Sequence, residues 1–299
     1  MVISNFFDKN TVPVVIALGY FDCLHIGHMQ LIEKACEKAK QLGVESAVFT
    51  FSNNPGSLLP SKNRLVNTFE ERLKMFEEAG IDRVVYAEFT KQFMSITSDE
   101  FLNMLKTQNV VGVVCGFDYT FGKNSAGDTK VLRQFCEANN MSFDEVAMVG
   151  FEGQKASATL IKKLLTDGDM QKVTACLGHK YFVSGKVVHG YGIGGSKLFP
   201  TVNLDVSDDK LFPKKGVYAG ETVIEGKKYV CVINVGTRPT FNDDCVKIEA
   251  HIVDFSGNLY GKDITVYFNK FLRDIKKFDD LNQLKNQISK DIEDAKCVK

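Results

Sequence analysis

The sequence lacks an excess of charge of either sign. Its 299 residues include 37 basic and 37 acidic side chains, so the formal net charge at pH 7 is zero. Proteins that bind nucleic acid or anionic lipid through their overall electric field carry a strong positive excess. The composition therefore gives no reason to expect a nucleic acid or a membrane as a partner, and it predicts no oligomeric state.

Long apolar runs and closely paired cysteines are also missing. No run approaches the roughly 20 apolar residues of a membrane-spanning helix, and the first eleven residues include Asp8 and Lys9 but no apolar core. We therefore expect neither a membrane anchor nor a secretion signal. The eight cysteines form no C-x-x-C pair. This spacing argues against a zinc ribbon or a disulfide framework and favours reduced thiols in the cytoplasm.

The first part of the chain alternates short apolar runs with amphipathic segments. Its length and its 44% hydrophobic and 25% charged residues are ordinary for a globular protein of two domains. Strands that alternate with helices at this spacing predict an α/β fold with a doubly wound parallel sheet. The predicted strands are Val12–Leu18, Ser46–Phe51, Arg83–Tyr86, Val110–Cys115 and Asp144–Val149.

The segment between the first strand and the first helix carries the clearest chemical signal. Residues 19–28 read Gly-Tyr-Phe-Asp-Cys-Leu-His-Ile-Gly-His. A glycine turn that opens a helix can hold a phosphate on free backbone N–H groups. His25 and His28, three residues apart on the first helical turn, should point the same way and donate hydrogen bonds to phosphate oxygens. They could also be half of a metal site, but we expect no Glu, Asp or Cys at a suitable offset on the same turn.

Two further segments follow predicted strands. Gly116–Asp128 is a glycine-bracketed loop with aromatic side chains and the carboxylate of Asp118, and a plain solvated turn is the alternative interpretation. Ser157, Thr159 and Lys162 stand in the first turns of a predicted helix. Two hydroxyls and a cation there could hold phosphates, or the hydroxyls could simply cap the helix.

From Tyr181 onward, hydrophobic and polar residues alternate with period two, which predicts a small antiparallel β-barrel. A terminal helix should cover Asp280–Ala295. We place the domains at residues 1–179 and 180–299. The predicted barrel strands are Phe182–His189, Val217–Val223, Lys228–Val235, Lys247–Asp254 and Ile264–Phe271.

Three clusters in the barrel region could carry chemistry. Gly190, Gly192 and Gly194 match a dinucleotide-binding fingerprint by letter, but no helix follows, so we expect a glycine flap over phosphates instead. Pro200-Thr201-Val202-Asn203 offers a hydroxyl and an amide oxygen suited to Mg²⁺, or an ordinary capped turn. Residues 234–241 form a second Gly/Pro loop. Glu249 should lie on the same face of its strand as His251. It could be a functional carboxylate, or simply a Glu that faces solvent.

These segments resemble known families. Residues 19–28 resemble the nucleotidyltransferase superfamily, except that Cys23 stands where that superfamily usually has Gly. The loop at 116–122 is similar to that of bacterial FAD synthetases. The Pro-Thr-Val-Asn segment, the loop at 234–241, Glu249 and the Leu259-Tyr260-Gly261 turn resemble riboflavin kinase. The whole chain thus resembles the bacterial bifunctional riboflavin kinase/FMN adenylyltransferase (FAD synthetase) family.

The resemblance implies a Rossmann-like nucleotidyltransferase domain that adenylylates FMN to FAD and a barrel domain that phosphorylates riboflavin. ATP, riboflavin and FMN would be substrates, with Mg²⁺ as cofactor. His25, His28 and Glu249 would be catalytic, and Thr201 and Asn203 would hold the metal. ATP-binding residues of the first domain would be Gly19, Phe21, Asp22, Gly27, Asp118, Ser157, Thr159 and Lys162. Flavin- or ATP-binding residues of the barrel would be Gly190, Gly192, Gly194, Pro200, Asn234 and Arg273.

Some positions depart from the pattern of that family. Lys162 replaces an Arg, and a Lys keeps the charge but loses the bidentate fork. In the barrel, the departures are Gly195, Leu198 and Ile275. Two alternatives therefore remain: an FMN adenylyltransferase with an impaired kinase-like barrel, and a flavin-binding regulatory module without turnover.

Overall fold

The structure is a computed structural model, which describes residues 1–58, 64–189, 199–237 and 246–298. The chain divides into two compact units, Met1–Ala158 and Thr159–Lys299. The domain boundary between residues 179 and 180 stays a prediction. Several predicted sites lie outside the described residues: Gly190, Gly192, Gly194, Gly195, Leu198 and positions 238–241 of the second loop.

A parallel sheet of six strands forms the centre of the first unit, in the order β1-β4-β3-β2-β5-β6. Every residue of β2 is buried, as expected of a central strand covered on both faces. Val14, Ile16 and Leu18 belong to the apolar cluster on one face, and Val15 and Ala17 to that on the other. The strands are β1 (Val2–Asn5), β2 (Val14–Leu18), β3 (Glu45–Phe51), β4 (Arg83–Ala87), β5 (Val110–Gly116) and β6 (Ser142–Val146).

The helices of this unit begin and end at the signals that the sequence carries. Thr68 and Glu71 form a capping box at the start of α2. Gly43 ends α1 in the left-handed conformation that glycine adopts without strain. At the start of α4, Thr97 and Glu100 form a second capping box. The helices are α1 (Ile26–Leu42), α2 (Phe69–Glu78), α3 (Lys91–Met94), α4 (Ser98–Thr107) and α5 (Thr129–Ala138).

The predicted doubly wound parallel sheet is confirmed, with local differences in its elements. Strand β1 at the sheet edge and helix α5, which Asp128 caps, were not predicted. Strand β6 ends at Val146, three residues earlier than expected. A small hairpin, β7 (Gly150–Phe151) and β8 (Gln154–Lys155), follows it.

A closed antiparallel barrel of six strands dominates the second unit, in the order β10-β13-β12-β11-β14-β9. Five of its strands match predicted ones, whereas β10, the Thr201–Asp205 segment, was not among the predicted strands. The strands are β9 (Phe182–Val188), β10 (Thr201–Asp205), β11 (Gly216–Ile224), β12 (Lys227–Thr237), β13 (Val246–Ile252) and β14 (Asp263–Arg273).

Three helices accompany the barrel. Helix α6 (Ala158–Asp167) and helix α7 (Met170–Leu177) precede it, and Gly178 ends α7 in the left-handed conformation. The terminal helix α8 (Leu281–Cys297) packs Ala295 against Val217 and Val232 on the outside of the barrel. The predicted barrel with a terminal helix is therefore confirmed. Among the helices that the structure describes, none is long and apolar enough to cross a membrane.

Candidate active sites

The first unit contains a cavity of about 690 Å³ at the carboxyl ends of its parallel strands. Leu18, Phe51, Gly116 and Val146, at the ends of β2, β3, β5 and β6, all line it. The sequence-predicted residues that line the same cavity are Gly19, Phe21, Asp22, His25, Gly27, His28, Asp118 and Ser157. Thr159 and Lys162 lie on the first turns of α6, in the second unit.

The turn after β2 has an unusual backbone, which explains its glycine. Phe21 has a φ of 56°, and its ring folds back over Gly19. A Cβ at Gly19 would lie 2.9 Å from that ring, closer than van der Waals contact allows. The buried carboxylate of Asp22 then accepts a hydrogen bond from the backbone N–H of Val66 at 2.8 Å. These contacts fix the path of the chain toward the two histidines.

His25 is the N-cap of α1 and not a residue of its first turn. Its Nδ1 accepts hydrogen bonds from the backbone N–H groups of Gly27 at 3.1 Å and His28 at 3.2 Å. The imidazole proton of the neutral ring must therefore be on Nε2. His25 thus occupies two of the backbone N–H groups that we expected to hold a phosphate. The Nε2–H group of His25 is the hydrogen-bond donor that remains for a phosphate.

The charge state of both histidines is set by burial. Burial, and then the positive charge of Lys155, lower the pKa of His25 to about 4. Burial, followed by His25, Lys155 and Arg72, lowers the pKa of His28 well below its ordinary value. At neutral pH both rings are therefore neutral and act as hydrogen-bonding groups, without a charge of their own.

Cys23 corrects one expectation from the sequence. We expected no third metal ligand near the two histidines, but ligand atoms of Cys23, His25 and His28 all lie within 4.8 Å of one another. Leu24 has a positive φ of 38°, and the turn at this residue brings Cys23 close to the imidazole rings of His25 and His28. Because the Nδ1 lone pair of His25 already accepts two N–H groups and Nε2 carries the proton, His25 offers no free lone pair to a metal in this arrangement.

The sequence analysis missed Lys155, the one Lys or Arg among the described residues that line this cavity. Its ammonium pairs with the carboxylate of Asp118 and lies 5.0 Å from the ring centroid of Phe117. Lys155 lies on β8, two residues before Ser157. The sequence could have indicated it, because a basic residue directly precedes the hydroxyls of Ser157 and Thr159. The structure thus adds a cation to the predicted set.

The second unit contains a larger cavity, of about 1100 Å³, between the outer face of the barrel and α8. One part of its lining is apolar and comes mainly from the start of α8 and the segment before it: Ile275, Phe278, Leu281, Leu284 and Ile288. Another part is basic: Lys214, Lys215, Lys247, Arg273, Lys276 and Lys285. The site can therefore accept a flat apolar ring system together with an anionic group.

Strand register gathers the predicted catalytic residues of the barrel. Glu249 on β13 lies opposite Asn203 on β10 and opposite Asn234 on β12. Residues directly opposite each other in antiparallel strands project from the same face. Thr201 lies opposite His251, two residues further along the same face. Ile248 and Ala250 point into the barrel and are buried, whereas Glu249 and His251 line the cavity, as the alternation predicts.

Two predicted binding residues are engaged with protein groups. The carbonyl oxygen of Pro200 lies 2.9 Å from Nδ1 of His251. The guanidinium of Arg273 donates to both carboxylate oxygens of Asp291 on α8, at 2.6 to 3.2 Å. Arg273 therefore joins the barrel to its terminal helix in this structure, and its predicted contact with a substrate stays a prediction.

The donor set on this face suits Mg²⁺. The Thr201 hydroxyl, the Asn203 amide oxygen and the Glu249 carboxylate are hard oxygen ligands, and the register places them on one face of neighbouring strands. Mg²⁺ usually binds through one or two protein oxygens together with substrate phosphates. The residues present therefore fit the ion that the resemblance implied.

Comparison with known families assigns a family model to each part of the chain. The sequence model described as FAD synthetase matches residues 7–160. The sequence model described as riboflavin kinase matches residues 177–298. The fold and the two cavities thus define a two-domain transferase, in which a nucleotidyltransferase-type α/β domain precedes a barrel of the kinase type.

Individual relatives cover nearly the whole chain. The bifunctional riboflavin kinase/FMN adenylyltransferase of Listeria monocytogenes is 32% identical over 291 residues, which span 95% of this chain and 91% of that protein. The Bacillus subtilis protein of the same name is 31% identical over 94% of this chain and 91% of its own length. This chain therefore belongs to the bifunctional riboflavin kinase/FMN adenylyltransferase family.

A solved structure has the same overall architecture. A crystal structure from Streptococcus pneumoniae, described as a macrolide-efflux protein, is 30% identical to this chain. The match covers 100% of both chains with a TM-score of 0.90. The combination of a parallel-sheet unit with a closed barrel is thus found in an experimental structure as well.

Proposed function

We propose that this chain makes FMN and FAD in two ATP-dependent steps. In the barrel, riboflavin is phosphorylated to FMN. In the α/β unit, FMN is adenylylated to FAD with release of pyrophosphate. The observation that carries the proposal is that His25 and His28 lie together on the wall of a cavity at the carboxyl ends of the parallel strands.

In the adenylylation step, a phosphate oxygen of FMN attacks the α-phosphorus of ATP, and the bond from that phosphorus to the β-phosphate oxygen breaks. No covalent bond to the protein is needed. The site must bring two anions together and stabilise charge on the reacting phosphorus. The neutral rings of His25 and His28 supply hydrogen-bond donors, and Lys155 supplies positive charge. Asp118 holds the Lys155 ammonium until the phosphates arrive.

In the phosphorylation step, Glu249 accepts the proton of the ribityl 5′-hydroxyl as its oxygen attacks the γ-phosphorus and ADP leaves. The basic residues along the cavity hold the triphosphate, and the apolar residues of α8 face the flavin ring. Thr201 and Asn203 would hold Mg²⁺, which when bound offsets the charge of the phosphates. His251 holds the backbone at Pro200 and so positions Thr201.

The proposal extends to the setting of the reaction. Riboflavin, FMN and ATP are the small-molecule substrates. The seven cysteines that the structure describes form no disulfide with one another. Reduced thiols and the use of ATP are both typical of the cytoplasm, which we propose as the location.

One assay tests both activities. The purified chain is mixed with ATP and Mg²⁺ and offered either riboflavin or FMN, and the products are separated by chromatography. We expect FMN and FAD from riboflavin, and FAD from FMN. If the chain formed FAD from FMN but no product from riboflavin, only the adenylyltransferase activity would be supported. Bound flavin without any product would contradict both activities.

A further inference from the structure

A buried arginine that neither mechanism uses lies beneath the catalytic turn of the first unit. The side chain of Arg72, on α2, has no solvent exposure. Among the described residues, no carboxylate lies within ion-pair distance of it, although Asp22 and Glu70 act on its charge at longer range, and its Nε is buried without a hydrogen-bond partner. Burying a cation without a counter-ion in direct contact is costly, and an apolar side chain of similar length would fill the space more cheaply. This cost suggests a role other than stability.

The contacts of the guanidinium show what that role is. Its two terminal nitrogens reach the ends of two neighbouring strands. One donates to the backbone carbonyl of Tyr20 at 3.1 Å and to Oγ1 of Thr50 at 2.5 Å. The other donates to the backbone carbonyl of Phe51 at 2.7 Å. Thr50 itself donates to the carbonyl of Tyr20 at 2.6 Å, so the three groups form one network.

These carbonyls lie where the sheet ends and the catalytic turn begins. Phe51 is the last residue of β3, and Tyr20 stands directly between Gly19 and Phe21. Tyr20 and Phe51 both line the cavity. Beyond the sheet their carbonyls have lost the partners that a continuing strand would offer, and the planar fork of an arginine can hold both at once.

We propose that Arg72 is a positioning residue for adenylyl transfer: it fixes the backbone at Tyr20 and thereby places the turn that carries His25 and His28. The proposal rests on the proposed function of that site. Asp22 supports the same placement from the other side, because it binds the backbone of Val66 just ahead of α2. Helix α2 therefore contacts the turn through both Arg72 and the segment that leads into it.

The test compares steady-state FAD formation from FMN in Arg72→Met, Arg72→Lys and the wild type. A displacement of about 1 Å in a reacting group can cost roughly 10²-fold in rate. We expect Arg72→Met to lower kcat by 10- to 100-fold, roughly, with a smaller change in the KM for ATP. Arg72→Lys should retain part of the rate, because its ammonium can hold one carbonyl firmly but not both.

A matched control separates positioning from general stability. Arg83 is also buried in this sheet, but it pairs with Glu45 at 2.9 Å at the opposite, amino-terminal edge. Arg83→Met should lower the unfolding temperature and leave kcat near the wild-type value. Riboflavin phosphorylation should be unchanged in every variant. Equal losses of kcat in Arg72→Met and Arg83→Met would overturn the proposal.

If Arg72→Met does not fold, two milder variants test the same proposal. In that case Arg72→Lys and Thr50→Val, which removes only the hydroxyl of the network, are compared with the wild type. Both should lower kcat at least threefold, and wild-type kcat in both would overturn the proposal. A wild-type protein that makes no FAD at all would instead refute the proposed function, so the two failures are distinguishable.

Discussion

The imidazole rings of His25 and His28 stack face to face, with centroids 3.8 Å apart and planes inclined by only 15°. Two positive charges at this distance would repel each other strongly, and burial disfavours even one. In the proposed function, the pair therefore binds phosphates through N–H donors and without ionic charge. His25 does so through Nε2–H, because its Nδ1 caps α1.

This arrangement predicts how stability depends on pH. The pKa of His25 is about 4 in the folded protein and near 6.5 when unfolded. Between these values the unfolded chain binds more protons, so stability falls as the pH is lowered from 6.5 toward 4. Chemical denaturation of the wild type and His25→Asn at pH 7, 6 and 5 measures this. Asn can cap the helix but does not titrate, so its stability should fall less. If the unfolding free energies of both proteins fell equally with pH, the lowered pKa of His25 would be contradicted.

The two roles of His25 can be separated by substitution. His25→Ala removes the cap and should cost about 1 kcal/mol of stability, whereas His25→Asn should keep most of it. Both variants lack the Nε2–H donor, so both should lose FAD formation by roughly 10²-fold. Unfolding free energies and initial rates on the same samples provide the comparison. If His25→Asn formed FAD at the wild-type rate, the cap alone would explain the residue.

Gly27 is expected to matter for activity and not for folding. A Cβ there would lie 3.1 Å from the His25 ring, so the ring would have to shift by a few tenths of an ångström. Ala favours a helix over Gly by up to about 1 kcal/mol. Gly27→Ala should therefore be at least as stable as the wild type while FAD formation falls. A variant with both properties unchanged would show that the ring position is not critical.

The Arg273–Asp291 pair is predicted to secure α8 on the barrel. Its atoms approach to 2.6 Å, and the Asp291 side chain is only 3% exposed. Removing one partner of a buried pair costs on the order of 3 to 5 kcal/mol. Asp291→Ala should therefore strongly destabilise the second unit. The matched control is Asp274→Ala, whose exposed pair with Lys214 should contribute less than about 1 kcal/mol. Similar losses in both would contradict the assignment.

Local patterns predicted most of the fold. The apolar run of β2 and the period-two alternation of β13 each depend on neighbours in sequence, and both predictions were correct. Strand β10 was missed because it is short and acquires its pairing from the preceding strand β9 and from β13, which lies more than 40 residues further along the chain. Its identity as a strand is a product of barrel closure.

The candidate sites were predicted where a motif was contiguous. The histidine turn and Glu249 could be identified from the sequence. Cys23 and Arg72 could not be placed, because their positions depend on the left-handed turn at Phe21 and Leu24 and on contacts between α2 and the sheet. A signal for Arg72 did exist: it falls on the stripe that Phe69, Leu73 and Phe76 form on α2, where a cation needs an explanation.

A comparison of two single-site variants shows whether the two reactions take place at separate sites. The wild type, His28→Ala and Glu249→Gln are each given riboflavin, ATP and Mg²⁺, and then FMN in place of riboflavin, with products separated by chromatography. We predict that His28→Ala makes FMN but at least 10²-fold less FAD, roughly the cost of losing one preorganised donor. Glu249→Gln should make FAD from FMN and almost nothing from riboflavin. If His28→Ala formed FAD within threefold of the wild-type rate, or Glu249→Gln phosphorylated riboflavin normally, the account would be wrong.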